Sequence, residues 1–597
     1  MFSFGLSSFA RAAPALRVAL VLGVLGLVSA LILWPLTGAH WLVGHYEGMR
    51  YLALAEHFRR ALLATAGYPR WLPDLYGGRG YPTFVFYQPF IFFLDTLWRG
   101  AFHGSRALWW TLWSLLVTGG LGAYLLGRRS GGIRWGLLVA GVFLLSPYLY
   151  VDLFVRQALS ELNSLMLLPW AFLALLLVRD RTQNAERTFG PVCLLSVSVA
   201  ALIYAHPITS ALFCIFAAPM VLALCWRGRS FDLQVAARVV LGFGLAILLS
   251  APYWLPFTLM KGEVNLNAAF DGDFATHHTV YWSQFFRRDW GFGGSTADSP
   301  DDGMPLQLGA PHFALALIAA ILSRRRPVAI ASFGAYIAAL VAMTPWCTEL
   351  WRLPVFQQVQ FPWRTLAMTT ALQTLLLAGA GETFSRLRRP VQVLAALALL
   401  AALLVWHKDQ FQTGSRIEDA DAALREEVAG ARWQILRYNG VDEFRPKTTP
   451  AGDPKALGDA PILNAADGTL SFEPQSNRYH IVATLRASKN TWLDLRQLYF
   501  PGWQVTVNGR RVTDEELLRH LRRDGTMRLP VAVPNEGQST VFQIEARYAG
   551  PRGGGAAAGL AALALLTLAG LAMCERRRIA STKRDQLACR GTACVRR

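Results

Sequence analysis

Apolar runs long enough to cross a bilayer recur along most of the chain, cut by short polar segments, and one long polar stretch near the C-terminus alternates with a different period. The runs fall near residues 16–36, 106–127, 133–151, 161–178, 190–206, 208–225, 237–257, 327–345, 362–381, 389–406 and 554–574, with a shorter one near 311–323. At 1.5 Å of rise per residue, roughly 20 apolar residues match the hydrocarbon thickness, so the pattern predicts about twelve transmembrane helices. The run 83–98 stands apart: it is short, follows Pro82, and contains Pro89 and Asp95.

The polar stretch 407–552 reads as an extramembrane domain. Residues 479–485, 492–499 and 503–507 look like strands, Asn508 and Gly509 form a hairpin-turn pair, and strand-like runs continue at 510–513, 527–533 and 540–548. About five short strands with turn signals between them predict a β-sandwich-like module. The Ala-, Glu- and Arg-rich stretch 415–437 predicts a helix leading into it, and the glycines at 553–555 form a hinge before the last span. The expected organisation is a helical membrane domain over 1–406, the β-rich domain over 407–552, a final span over 553–574 and a basic tail over 575–597.

Composition agrees with a membrane protein: 53% of the 597 residues are hydrophobic and 16% charged, too apolar for an ordinary soluble chain. The net charge of +19 gathers in short arginine clusters between the apolar runs, which is the positive-inside pattern and not a nucleic-acid surface. These clusters are Arg128, Arg129 and Arg134; Arg179, Arg181 and Arg187; Arg227 and Arg229; Arg324 to Arg326; Arg386, Arg388 and Arg389; and Arg576 to Arg578. If 83–98 does not traverse the bilayer, every cluster and both termini face the cytoplasm, and segments 37–105, 258–310, 346–361 and 407–552 face outward. If it traverses with the N-terminus inside, the clusters are exported, against the rule. An outside N-terminus keeps the clusters in but also internalises Arg50, Arg59, Arg60, Arg70 and Arg79, and charge counting leaves that arrangement open. The first run follows Arg11 and Arg17 and has no small-x-small cleavage site after it, so it reads as a retained helix. None of the seven cysteines falls within 407–551, which speaks against a disulfide-stapled exterior.

Candidate chemistry collects in the outward segments. Glu47 follows the first helix closely, where a general base for an acceptor hydroxyl belongs; a loop acid pairing with Arg50 is the equal alternative. Asp152, Arg156 and Glu161 lie where one span ends and the next begins, Asp152 and Arg156 at helical i, i+4 spacing, and functional and ion-pair readings stand side by side. Arg364 opens an inward-going span from the side the charge rule disfavours; its guanidinium either binds a phosphate bidentately or reaches out to headgroups. His206, before Pro207 at a helix turn, is by base expectation a structural hydrogen-bonder. The aromatic residues Trp71, Tyr76, Tyr81, Phe84, Phe86 and Tyr87 offer a sugar or prenyl platform, with an interfacial belt the favoured reading for most of them. His277 and His278 are adjacent, so their side chains diverge and a metal site there is disfavoured. No Walker loop, GxGxxG or HExxH occurs, which leaves cytosolic ATP chemistry unsupported.

Several of these segments together resemble the bacterial GT-C type membrane glycosyltransferases, in the branch of large polytopic proteins related to lipoteichoic-acid glycosylating enzymes and labelled as 6-pyruvoyl-tetrahydropterin synthase-related membrane proteins. The resemblance covers most of the chain and rests on Glu47, the stretch from Pro69 through Gly77-Gly78-Arg79-Gly80-Tyr81 to Pro82, Arg156 to Glu161, Gln360 to Arg364, and Pro501-Gly502-Trp503. It implies a first outer loop with juxtamembrane helices and an acidic catalytic residue, a polyprenyl-phosphate-linked sugar donor, and transfer to an envelope glycan, lipid or protein at the outer face of the inner membrane. On this plan Glu47 is the base, Arg156 and Arg364 hold the donor phosphate, and Arg79, Tyr81, Asp152, Glu161 and His206 shape the substrate pocket. The chain has Glu47 where the plan more usually has Asp, and no Asp-x-Asp pair nearby, so a divalent metal is left open and no cofactor is assigned. A flippase for lipid-linked sugars and a non-catalytic envelope-assembly scaffold are the rival classes.

Overall fold

Each apolar run of the sequence lies on helix in the computed structural model, which describes residues 4–37, 41–42, 48–65, 67–184, 186–266, 273–412, 416–417, 444–450 and 462–593. The principal helices in chain order are α1 (Phe4–Ile32), α2 (Gly48–Thr65), α3 (Phe90–Trp98), α4 (Gly104–Leu144), α5 (Leu159–Gln183), α6 (Phe189–Ala205), α7 (Pro207–Leu224) and α8 (Leu233–Leu249). They continue with α9 (Ala251–Met260), α10 (Ala310–Leu322), α11 (Pro327–Ala342), α12 (Leu366–Gly379), α13 (Arg389–Trp406), α14 (Asp514–Arg519) and α15 (Gly554–Ala593). Among the described residues six helices are long and apolar enough to cross a membrane, or up to eight if two bent pairs each count as one span. The bends lie between α8 and α9, at 63°, and between α11 and the short helix ending at Trp351, at 89°. The 41-residue α4 is itself two helices: Gly132 adopts φ +75°, a value that costs an L-residue with a Cβ about 1–2 kcal/mol, and the chain reverses there beside Arg128, Arg129 and Arg134. Helix α5 is buried along most of its length among α4, α6, α7 and α12, whereas α1, α13 and α15 leave most of their apolar surface uncovered by protein.

Segment 83–98 forms two short helices, Thr83–Phe86 and α3, broken at Pro89. Nine residues rise only about 14 Å, half of a hydrocarbon core.

The C-terminal stretch builds two antiparallel sheets. Two-residue ladders occur earlier, β1 (Trp41–Leu42) with β4 (Arg416–Ile417) and β2 (Trp226–Arg227) with β3 (Ser230–Phe231). The module then runs β5 (Leu463–Ala465), β6 (Thr469–Phe472), β7 (His480–Ala487), β8 (Thr491–Leu498), β9 (Trp503–Val507), β10 (Arg510–Val512), β11 (Thr526–Val531) and β12 (Thr540–Tyr548). One sheet has the order β10-β9-β12-β7-β6 and the other β11-β8-β5. Strand β7 alternates buried Ile481, Ala483, Leu485 and Ala487 with more exposed neighbours, the period-two signature of a half-buried strand. Asn508 and Gly509 both take positive φ, as a tight hairpin turn between β9 and β10 requires. Sequence patterning did not mark β5, β6 or α14, although α14 starts with a full capping box between Thr513 and Glu516. Of the helix expected over 415–437 only Arg416–Ile417 is described, and there the chain is a strand on Trp41–Leu42.

The loop after α2 is the joint between helices and sheets. Leu498 N–H donates to the Arg79 carbonyl at 2.7 Å, Trp71 Nε1 donates to Gln497 Oε1 at 2.9 Å, and Gln497 Nε2 donates to the Gly78 carbonyl at 2.9 Å. Arg478 of the module pairs with Asp74 at 2.8 Å, and Arg79 with Asp524 at 3.3 Å. Trp71 packs against Phe500, Trp503 and Tyr548. All six aromatics of the loop are buried, which corrects the interfacial-belt reading: their faces are covered by the module and by neighbouring rings, not by headgroups. The Gly-Gly-x-Gly-Tyr-Pro element makes this possible. Tyr76, Gly77, Gly78 and Gly80 all have positive φ, and a Cβ on Gly80 would lie 2.4 Å from both Gln497 Oε1 and the Trp71 ring.

Gly80→Ala is therefore expected to destabilise the protein by about 2 kcal/mol or more, from left-handed strain plus the clash, and to expose the module to protease; an unchanged melt and digestion pattern would refute the joint. Acid should loosen the same joint. Burial raises the Asp524 carboxyl, but hydrogen bonds from Thr526 and the Arg79 guanidinium outweigh it and hold the group below its ordinary value. The stabilisation is complete above the ordinary carboxylate range and fades as pH falls through the lowered value, below about 4. Asp524→Asn should flatten that part of the melting-temperature profile relative to the unsubstituted protein.

Candidate functional site

The polar centre of the helical domain sits where the second half of α4 gives way to α5. After the turn Pro147–Tyr150 the chain makes a single π-helical turn, Val151–Val155, and then Gln157 takes φ +55°. A wide turn followed by a left-handed residue is costly for a non-glycine chain, and such strain gathers at functional sites. Its result is convergence. Arg156 Nη1 donates to Asp152 Oδ1 at 2.6 Å, Glu161 Oε2 at 2.9 Å and the Tyr148 hydroxyl at 3.1 Å. Tyr148 in turn donates to Glu161 Oε1 at 2.5 Å. Asp152 and Glu161 are 0% and 2% exposed, so without Arg156 they would be bare charges in an apolar surround.

A second strained glutamine brings in the other arginine. Gln360 has φ +67°, and after it the turn Pro362–Thr365 leads into α12. Arg364 Nη1 donates to Gln360 Oε1 at 2.7 Å and to the Val359 carbonyl at 3.0 Å, while its Nε lies 3.6 Å from Glu161 Oε2. The Trp363 ring covers Arg156 at 4.3 Å and lies 6.0 Å from Arg364, so it serves both cations. His206, N-cap of α7, is buried and hydrogen-bonds Thr209 through Nδ1 at 2.8 Å. The side-chain amides of Gln157 and Asn163 are buried, and neither end of either amide has a hydrogen-bond partner among the described residues.

Helix α2 ties the first loop to this centre. The Tyr51 hydroxyl donates to Ser160 Oγ at 2.9 Å and accepts from Ser160 N–H at 3.0 Å, and Tyr87 donates to it at 3.0 Å. Arg50, one residue back, stands 4.9 Å over the Tyr87 ring.

The structure thus brings Asp152, Arg156, Glu161 and Arg364 together and adds Tyr148, Trp363, Gln157 and Gln360. Trp363 and Gln360 lie within the motif read from sequence. Tyr148 carried a weaker signal, a tyrosine four residues before Asp152 on a helical period. Arg79 and Tyr81, expected to line the pocket, sit at the joint: Arg79 pairs with Asp524, and Tyr81 stacks on Tyr76 at 5.6 Å. The cause is the run of left-handed residues, which turns 76–82 toward the β-module. Glu47 lies outside the described residues. His277 and His278 do diverge, to Asp298 and Ser295. Among the described residues no group of three or more His, Cys, Asp or Glu is placed to hold a metal ion, and both buried carboxylates of the centre already face Arg156, so this donor set fits a cation poorly.

A helical bundle with several bilayer-length apolar helices, an extramembrane β-sheet module and an arginine-carboxylate centre between them defines a polytopic membrane protein with a buried polar site. A family model described as 6-pyruvoyl-tetrahydropterin synthase related domain, membrane protein, matches residues 84–412, more than half of the chain, and the chain belongs to that family. No curated protein matches it. Among solved structures it is similar to the arabinofuranosyltransferase AftD from Mycobacteria, with 19% identity and a TM-score of 0.40 over 66% of this chain and 28% of that one. It is also similar to the oligosaccharyltransferase of Archaeoglobus fulgidus tethered to an acceptor peptide, with 14% identity and a TM-score of 0.40 over 66% of this chain and 55% of that one. The apo form of the same enzyme gives 13% identity and a TM-score of 0.38 over 67% and 56% of the two chains. The matched part is thus at most about half of these larger proteins, at scores below those of a shared fold.

Arg156→Gln should cost about 3–5 kcal/mol, because it strands two buried carboxylates, and adding Glu161→Gln should return part of that loss. Thermal melting in detergent measures both; equal melting temperatures for the single and double variants would show that Arg156 does not neutralise Glu161.

Proposed function

We propose that the protein is a membrane glycosyltransferase that uses a polyprenyl-phosphate-linked sugar as donor and an envelope glycan, lipid or protein as acceptor. The observation that carries the reading is the meeting of Arg156 and Arg364 at Glu161 under a shared tryptophan ring, at the end of the bundle that adjoins the β-module loops. The amides of Gln157 and Asn163 supply buried polar groups of the kind that recognise hydroxyls. The resemblance of the Glu47, Gly77–Pro82, Arg156–Glu161 and Gln360–Arg364 segments to GT-C type enzymes supports the same class.

In this reading the outward segments and the β-module lie at the outer face of the inner membrane and both termini in the cytoplasm. Glu47 takes the proton of the acceptor hydroxyl as its oxygen forms a bond to the sugar's anomeric carbon. The bond from that carbon to the phosphate oxygen breaks, and the leaving phosphate keeps the electron pair, stabilised by Arg364 and Arg156. Tyr148, Asp152 and Glu161 hold Arg156 in place, and the module positions the acceptor above the joint.

Release of radiolabelled sugar from polyprenyl-phosphate donors by the purified protein tests the reading. Glu47→Gln is expected to lower turnover by about 10²- to 10⁴-fold, and Arg364→Gln to lower kcat/KM by about ten- to a hundredfold. Full activity of folded Glu47→Gln protein removes the base assignment. Donor bound but never turned over, or moved across vesicles intact, selects the transporter instead.

A further inference from the structure

A second polar site lies at the other end of α5. Glu161 is in its first turn and Arg179 near its last, 18 residues and so about 27 Å apart along the axis. Around Arg179 the turn within α4 at Gly132 and the ends of α5, α11 and α12 leave a cavity of about 410 Å³. Arg129, Arg179, Arg325 and Arg326 line its rim, and Leu126, Leu176, Leu375 and Leu376 line its apolar side. Arg129 is paired with Asp180, its Nε at 3.0 Å, and Arg326 with Glu382 at 2.5 Å. Arg179 and Arg325 have no carboxylate partner among the described residues, and Arg179 Nε is buried without any hydrogen bond. The N-terminus of α11 opens on the same cavity at Pro327 and Val328. Independently, Ser332, one turn further along α11 and 1% exposed, lines the cavity with a hydroxyl oxygen that has no hydrogen-bond partner among the described residues.

We propose that this cavity binds the phosphate of an anionic phospholipid headgroup. Two surplus guanidiniums, a helix N-terminus and a buried hydroxyl supply the donors that a phosphate oxygen needs. Leu126, Leu176, Leu375 and Leu376, all buried, form an apolar wall beneath these donors, as in a basic pocket between transmembrane helices. The site is remote from the glycosyltransfer centre and does not depend on that assignment.

The full-length protein, purified in mild detergent and doped with an equimolar mixture of phosphatidylglycerol and phosphatidylcholine, is examined by native mass spectrometry and by thermal melting. The unsubstituted protein is expected to retain phosphatidylglycerol preferentially. Arg179→Gln with Arg325→Gln should reduce that retention by about tenfold or more, whereas Arg227→Gln with Arg229→Gln, in another cluster, should leave it unchanged. Arg325→Gln alone changes an exposed position and so folds normally; an intermediate loss is expected. Equal retention by the unsubstituted and doubly substituted proteins overturns the proposal. Inorganic phosphate in a parallel melt separates the two sources of the anion: if it protects through Arg179 and Arg325 while phosphatidylglycerol is not preferred, the ligand is a soluble phosphate and the lipid assignment falls.

Discussion

Two carboxylates buried in a membrane-embedded helical bundle must be neutralised where they stand, and the geometry around Arg156 follows from that requirement. Asp152 and Glu161 approach from opposite ends of the connection between two helices, and a single guanidinium can reach both only if the intervening chain bulges. The π turn at 151–155 and the left-handed Gln157 supply the bulge. Their conformational cost, of order 1–3 kcal/mol per strained residue, is smaller than that of leaving a buried carboxylate unpaired. Trp363 then closes over the cation, and Arg364, four residues on from Gln360, inherits its position from the same turn.

That centre is mechanically continuous with the extramembrane module. Gln497 and Leu498 of β8 fix the carbonyls of Gly78 and Arg79, the chain runs on through Tyr81 to Tyr87, and Tyr87 and Tyr51 pass the contact to Ser160, next to Glu161. Most links are hydrogen bonds between buried groups with no water to compete, so a displacement of the module has few ways to dissipate before it reaches the arginines. An acceptor held on the module and a donor held by Arg364 would thus share one frame.

The sequence exposed the helical runs, most strands and the polar residues of the centre because each leaves a local mark: length and hydropathy for spans, period two and Asn508-Gly509 for the hairpin, charges at helix ends for Asp152, Arg156, Glu161 and Arg364. What it hid depends on distant partners. The loop aromatics have the composition of an interfacial belt, and only contact with Phe500, Trp503 and Tyr548 shows them to be a packed joint. Arg79 gave no sign that Asp524, far along the chain, would claim it. Gln157 and Gln360 carry no propensity for positive φ; the conformation is imposed by the ion pairs beside them. Glu47 has its place in the sequence pattern alone.

The pairing state of an arginine in this protein reports its depth. Arg156, 14% exposed in its side chain, meets two carboxylates and a tyrosine, while surface arginines such as Arg227 and Arg229 lie on an exposed hairpin where water solvates them. Both extremes are electrostatically settled: one by counter-charges, the other by solvent. Arg179 belongs to neither class, since part of its guanidinium is shielded from water and no carboxylate among the described residues compensates it. A cation held in that intermediate state attracts an anion more strongly than an exposed one, because less water must be displaced and the local dielectric is lower. The incomplete solvation of Arg179, rather than the number of arginines nearby, is what distinguishes its cavity from the other basic clusters on the chain.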